Sequence, residues 1–67
     1  MTRNYYVIYE NGEWKVKLEA GAVVSANHRT MQGAKREAER LARKNGRGVT
    51  VNAKDGYTRY SIPPEEV

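Results

Sequence analysis

Residues 4–18 read NYYVIYENGEWKVKL, two runs rich in Tyr, Val, Ile and Trp on either side of Asn11-Gly12. Asn-Gly supplies the two positive-φ positions of a type I′ turn, whose twist matches the strands it joins, so the stretch reads as a β-hairpin. A two-residue turn there sets the register, with Tyr9 opposite Trp14, Val7 opposite Val16 and Tyr5 opposite Leu18. Side chains alternate along a strand, so these six share one face and are expected to form the core side. Tyr6, Ile8, Lys15 and Lys17 share the other face, which is mixed aromatic and basic.

Outward from the hairpin, Ala20-Gly21 turns the chain and Ala22 to Ala26 is the candidate for a short third strand. Thr30 is placed to cap a helix from Met31 to about Asn45, although Gly33 at the third helical position leaves the reciprocal capping box incomplete. At 100° per residue, Met31, Ala34, Ala38, Leu41 and Ala42 fall on one stripe, with Arg36, Arg40 and Arg43 opposite and Lys44 nearby. Small alanines let a helix lie close on a sheet, and Asn45-Gly46 offers the left-handed residue that ends it. Gly48 to Ala53 and Tyr57 to Ile62 then form a second hairpin around Asp55-Gly56, read as another two-residue turn. That register puts Val49, Val51, Tyr60 and Ile62 in the core and turns Thr50, Asn52, Lys54, Tyr57, Arg59 and Ser61 away from it.

The fold class that follows is α+β, an antiparallel sheet of four or five strands with one helix on one face, in the order β-β-(β)-α-β-β. Residues 1–62 are read as a single small domain, ordered from about Arg3, and Pro63-Pro64 stops the last strand. Residues 63–67 are read as a mobile acidic tail. A chain of 67 residues has room for one small core, and with no Cys it has neither a disulfide framework nor a thiolate metal site. No stretch approaches the roughly 18 apolar residues of a membrane span, and Met1 to Tyr9 lacks the apolar centre of a secretory signal. A cytoplasmic protein without membrane association is the expectation.

The chain as a whole resembles a family of small prokaryotic domains of unknown function. The resemblance is carried by Gly12-Glu13-Trp14-Lys15-Val16-Lys17, by Thr30 with Ala34, Ala38, Leu41-Ala42 and Gly46, and by Val49-Thr50-Val51 followed by Lys54-Asp55-Gly56. The family pattern is a GW-x-V-K strand, a T-x-x-x-A helix containing L-A, and a V-x-V…D-G hairpin; here Glu13 separates the Gly from the Trp. These are turns, a core Trp and a helix stripe, so the resemblance implies the fold order and implies no catalytic residue, cofactor or substrate.

Catalysis needs a nucleophile, base or metal cluster, and the inventory is thin: one His, no Cys, and acids scattered among turns, helix flank and tail. His28 lacks a second His or Cys to make it a ligand, and Gly46-Arg47-Gly48 follows a helix instead of preceding one, which removes the phosphate-loop reading. A non-enzymatic protein without cofactor or metal is expected. Charge is the sharper signal. The net charge is +4, but Arg29 to Arg59 carries nine basic residues against three acids, a local excess of six. Concentrated positive charge gathers polyanions, so nucleic acid is the leading partner, DNA or RNA, and an acidic protein the second.

Two surfaces carry that expectation. Arg36, Arg40 and Arg43 recur at helical spacing with Lys44 and Arg47 beside them, a stripe suited to phosphates. The plain alternative is a solvated face balanced by Glu37 and Glu39, with Glu39 and Arg43 as an i,i+4 pair. The second surface is the sheet face away from the core, where Tyr6 and Tyr57 with Lys15, Lys17 and Arg59 form a platform for stacking bases and neutralising phosphates. The two lie on opposite sides, the helix suited to duplex and the sheet to single strands. The resulting expectation is a nucleic-acid-binding accessory protein of low sequence specificity. The competing expectation is a small protein-interaction or homodimerising module, of the kind a phage or mobile element encodes, that buries Tyr6 and Ile8.

Overall fold

A computed structural model describes residues 4–19 and 21–67. The strands are β1 (Tyr5–Glu10), β2 (Glu13–Leu18), β3 (Val23–His28), β4 (Val49–Asn52) and β5 (Thr58–Ile62), and one helix, α1 (Met31–Asn45), separates β3 from β4. Together the strands make one five-stranded sheet in the order β3-β2-β1-β4-β5. The α+β class, the element order and the single helix agree with the sequence reading.

The first hairpin has the expected register, Tyr5 with Leu18, Val7 with Val16 and Tyr9 with Trp14. Asn11 and Gly12 both have positive φ, 53° and 82°, as a type I′ turn requires. The sheet is mixed, however: β1 pairs with β4 in parallel, while the other three pairings are antiparallel. The reason is the crossover. β2 and β3 occupy one side of β1, so α1 must carry the chain back across the sheet to the free side, where β4 enters along β1 in the same direction.

Thr30 caps the helix as expected, accepting from Gly33 N at 3.0 Å. Gly46 closes it in the left-handed conformation, φ 65°, and Arg47 N donates to Ala42 O at 2.9 Å. Ala34, Ala38 and Ala42 are fully buried against Val7, Val16, Val49 and Val51, which are also fully buried, with Tyr5 and Trp14 completing the core. Alanine at all three contact positions brings the helix axis close, so the branched strand side chains fill the interface.

The second hairpin differs from the reading in an instructive way. Gly56 N donates to Ala53 O and Ala53 N to Tyr57 O, so the turn is a three-residue loop, Lys54-Asp55-Gly56, with Gly56 at φ 95°. That loop alone would slip the register by one residue. A β-bulge between Val51 and Asn52 returns it, because Asn52 pairs with Thr58 while Val51 still pairs with Tyr60 and Val49 with Ile62. The two departures cancel for the core valines and leave Arg59 as the extra residue.

Other boundaries move. β3 runs to His28, beyond the expected Ala26, and takes two register shifts against β2, with Asn27 at φ 66°. Tyr60, read as core, is 38% exposed, and Ile62 is half-buried. Residues 63–67, read as a mobile tail, contain a 3₁₀ turn at Pro64–Glu66, and Val67 packs against the core. Arg3 and Ala20, read as the start of order and as part of a turn, lie outside the described residues. No helix among the described residues is long and apolar enough to cross a membrane.

Candidate nucleic-acid interface

The helix is amphipathic for the reason its sequence gave: three alanines fix the buried stripe, and the outward side is left to charge. Arg36, Arg40, Arg43 and Lys44 are all exposed there. Their electrostatic states differ. Arg40 forms a two-point pair with Glu37, Nε to Oε1 at 2.9 Å and NH2 to Oε2 at 2.8 Å. Their hydrogen bond is the first cause that holds the Glu37 carboxyl below the ordinary carboxylate range and the Arg40 guanidinium above its ordinary value. Glu39, expected opposite Arg43, lies 3.9 Å from Lys35 instead. Among the described residues no carboxylate stands within ion-pair distance of Arg36, Arg43 or Lys44. Arg47 leaves the stripe; it is half-buried, its guanidinium 5.4 Å from the centre of the Tyr5 ring.

The uncovered sheet face is less basic than the sequence reading made it. The alternation that puts Tyr6 and Ile8 there also brings Glu10, and with Lys15 and Lys17 comes Glu13. Lys15 Nζ lies 3.1 Å from Glu10 and 3.8 Å from Glu13, and Lys17 Nζ 3.4 Å from Glu10. Lys15, then Lys17, draws the Glu10 carboxyl below the ordinary carboxylate range. Two lysines and two glutamates cancel, so this face carries no net charge from its strand residues on β1 and β2. Across β4 it turns polar: Asn4 Nδ2 donates to Thr50 Oγ1 at 3.1 Å, Thr50 and Ser61 hydroxyls meet at 3.1 Å, and the buried Asn52 Oδ1 has no partner among the described residues.

Arg59 is not on that face. The bulge turns it toward the helix, where its NH1 is 3.9 Å from Met31 Sδ. Nearby, Lys35 Nζ sits 5.3 Å from the centre of the Tyr60 ring, and Lys54 Nζ 4.9 Å from that of Tyr9. The Tyr60 hydroxyl is the first cause that holds the Lys35 ammonium above its ordinary pKa. Tyr57 is 77% exposed in the β4–β5 loop. Of the residues expected on the uncovered sheet face, Arg59 therefore joins the helix side instead.

Sequence reasoning missed Lys35 and Tyr60, and a geometric signal was available. Five strands spaced about 4.8 Å apart span about 19 Å, whereas one helix is about 10 Å wide, so a single helix leaves an edge strand bare. Here α1 packs across β1, β2, β3 and β4 and leaves β5 the bare one. His28, read as an isolated loop histidine, ends β3 and has its Nε2 2.8 Å from Ser25 Oγ, a clasp across a strand already bent by its register shifts. Among the described residues no cluster of three His, Cys, Asp or Glu side chains is placed to hold a metal.

No curated protein and no solved structure matches the chain. A family model described as "Uncharacterized protein conserved in bacteria (DUF2188)" matches residues 5–61, from the first residue of β1 to the penultimate residue of β5. With the sheet and the helix both inside that match, the chain belongs to the DUF2188 family of small uncharacterized bacterial domains.

Proposed function

We propose that this domain binds nucleic acid without catalysis and with little sequence specificity, through the helix side. The observation that carries the reading is the contrast between two sets of cations. Lys15 and Lys17 are already neutralised by Glu10 and Glu13, whereas Arg36, Arg43 and Lys44 are exposed with no carboxylate partner among the described residues. Arg36 and Arg43, seven residues apart, stand about 10 Å from each other along the helix axis, a spacing that reaches phosphates a few steps apart on a backbone and not adjacent ones. Such contacts position a nucleic acid and read no bases, which supports low specificity. The test is the double reversal Arg36→Glu with Arg43→Glu, measured by fluorescence anisotropy on labelled DNA and RNA at low salt. A loss of at least tenfold in affinity is expected; unchanged affinity refutes the reading.

A second reading, self-association or protein binding through the uncovered sheet face, is favoured by the acceptor Asn52 Oδ1, which has no partner among the described residues, beside half-buried Tyr6 and Ile8. It predicts a mass that rises with concentration in sedimentation and an Ile8→Lys variant that stays monomeric.

A further inference from the structure

The bare edge of the sheet on the helix side brings together side chains that the helix stripe alone does not use. β5 is the edge strand beyond β4, and α1 packs across the other four strands. On the step between them lie Arg59, against Met31 of the first helical turn, and Tyr60, against Lys35 one turn further on. Arg36 follows Lys35 on the exposed side of the helix. Tyr57 continues the same row. Ala53 N donates to Tyr57 O, one step beyond the Asn52–Thr58 pair, so the alternation turns Tyr57 to the side opposite Thr58. It is the most exposed large apolar side chain described, at 77%. Among the described residues Arg59 has no carboxylate within ion-pair distance, and Lys35 has one, Glu39, at 3.9 Å.

From this juxtaposition we propose that the step between α1 and β5 is a single-strand subsite, with Tyr57 as the platform for a base and Arg59, Lys35 and Arg36 as the track for its phosphates. It rests on the nucleic-acid reading above and deepens it by naming the strand type. The chemistry that selects single strands is the exposed ring. Bases inside a duplex are stacked on each other and offer no free π-face, while an unpaired base stacks on an aromatic side chain whatever its identity. A cation beside the ring then meets the phosphate of the stacked nucleotide, which is the arrangement Arg59 makes two residues from Tyr57. Tyr60 is held differently: Lys35 already occupies one face of its ring, so Tyr60 positions the lysine rather than a base.

The experiment compares fluorescein-labelled oligo-dT with a mixed-sequence duplex of equal length. The proteins are the full chain, Tyr57→Ala, Tyr57→Phe, Arg59→Ala and the Arg36→Glu/Arg43→Glu pair. Circular dichroism checks that each remains folded, which exposed positions allow. Tyr57→Ala is expected to lose about tenfold in affinity for oligo-dT with its duplex affinity within twofold of the parent, and Tyr57→Phe to retain both. Arg59→Ala is expected to lower single-strand affinity and flatten its log–log salt slope by about 0.7. If Tyr57→Ala and Arg59→Ala bind oligo-dT like the parent while the helix double reversal does not, the subsite is wrong and the helix reading stands. If the parent binds neither probe at low salt, both are wrong.

Discussion

Gly48 shows how tightly one residue can be fixed in so small a domain. Tyr5 N donates to Gly48 O at 2.9 Å, which ties the start of β1 to the entrance of β4. A Cβ at Gly48 would stand 2.6 Å from the carbonyl oxygen of Ile62 and 2.9 Å from Asn4 Oδ1. The first of these is backbone in a paired strand and has nowhere to go. Gly48→Ala is therefore expected to destabilise the domain by about 2 kcal/mol through overpacking, read as a lower midpoint in urea with an unchanged slope. Wild-type stability in Gly48→Ala would show that β5 yields at its end. The need for glycine there was not legible beforehand. It arises from the approach of a strand whose position depends on the parallel β1–β4 pairing, and that pairing is a property of the assembled sheet.

At the scale of the element, α1 is the part that the sequence described best. Thr30, the alanine stripe and Gly46 each act through local geometry, and each does in the structure what its neighbours in sequence imply. The ion pairs along the helix were less legible, because several partners lie within reach of each acid and rotamers decide among them. Glu39 turns back to Lys35, and Glu37 takes Arg40 by both nitrogens. Glu37 thus occupies one of the five helix-side cations expected to face nucleic acid. Glu37→Gln is expected to free Arg40, raising nucleic-acid affinity severalfold and steepening the log–log salt slope by about one phosphate contact, between 0.7 and 0.9. The pH dependence has the same origin. With its pKa lowered by Arg40, Glu37 keeps the pair intact above the ordinary carboxylate range, and the pair is lost as pH falls through the lowered value. Any stability it contributes goes in that acid window, and the freed Arg40 strengthens binding there in the parent but not in Glu37→Gln. Equal salt slopes for the two proteins at neutral pH would contradict this account.

The second hairpin marks where local reading stops being sufficient. Asp55-Gly56 announced a turn but not its length, since a glycine at positive φ serves a two-residue loop and a three-residue loop equally well. The bulge that restores Val51 opposite Tyr60 is selected by packing of the two core valines, Val49 and Val51, under the helix, a demand from outside the hairpin. Its by-product is the move of Arg59 to the helix side. In the first hairpin the type I′ turn and the core alternation agree, so every pair there was readable; on its other face Glu10 and Glu13 follow from the same alternation that placed Lys15 and Lys17.

For the whole molecule, one helix and five strands leave two surfaces that differ in electrostatic character, one balanced and one positive. The uncovered sheet face is balanced internally by four charged side chains, and the helix side, joined by Arg59 across the bulge, holds Arg36, Arg43 and Lys44, cations with no carboxylate partner among the described residues. Charge segregated in this way steers a polyanion to one side of the domain. Direct contact between this side and the phosphate backbone, as proposed, is tested by the salt dependence of binding to oligo-dT, followed by fluorescence anisotropy between about 50 and 200 mM salt. Release of counterions from about four phosphates predicts a log–log slope of about −3, with affinity falling by well over tenfold across that range. A slope near zero, or no binding at the lowest salt, would contradict the claim and leave the helix cations as a solvated surface.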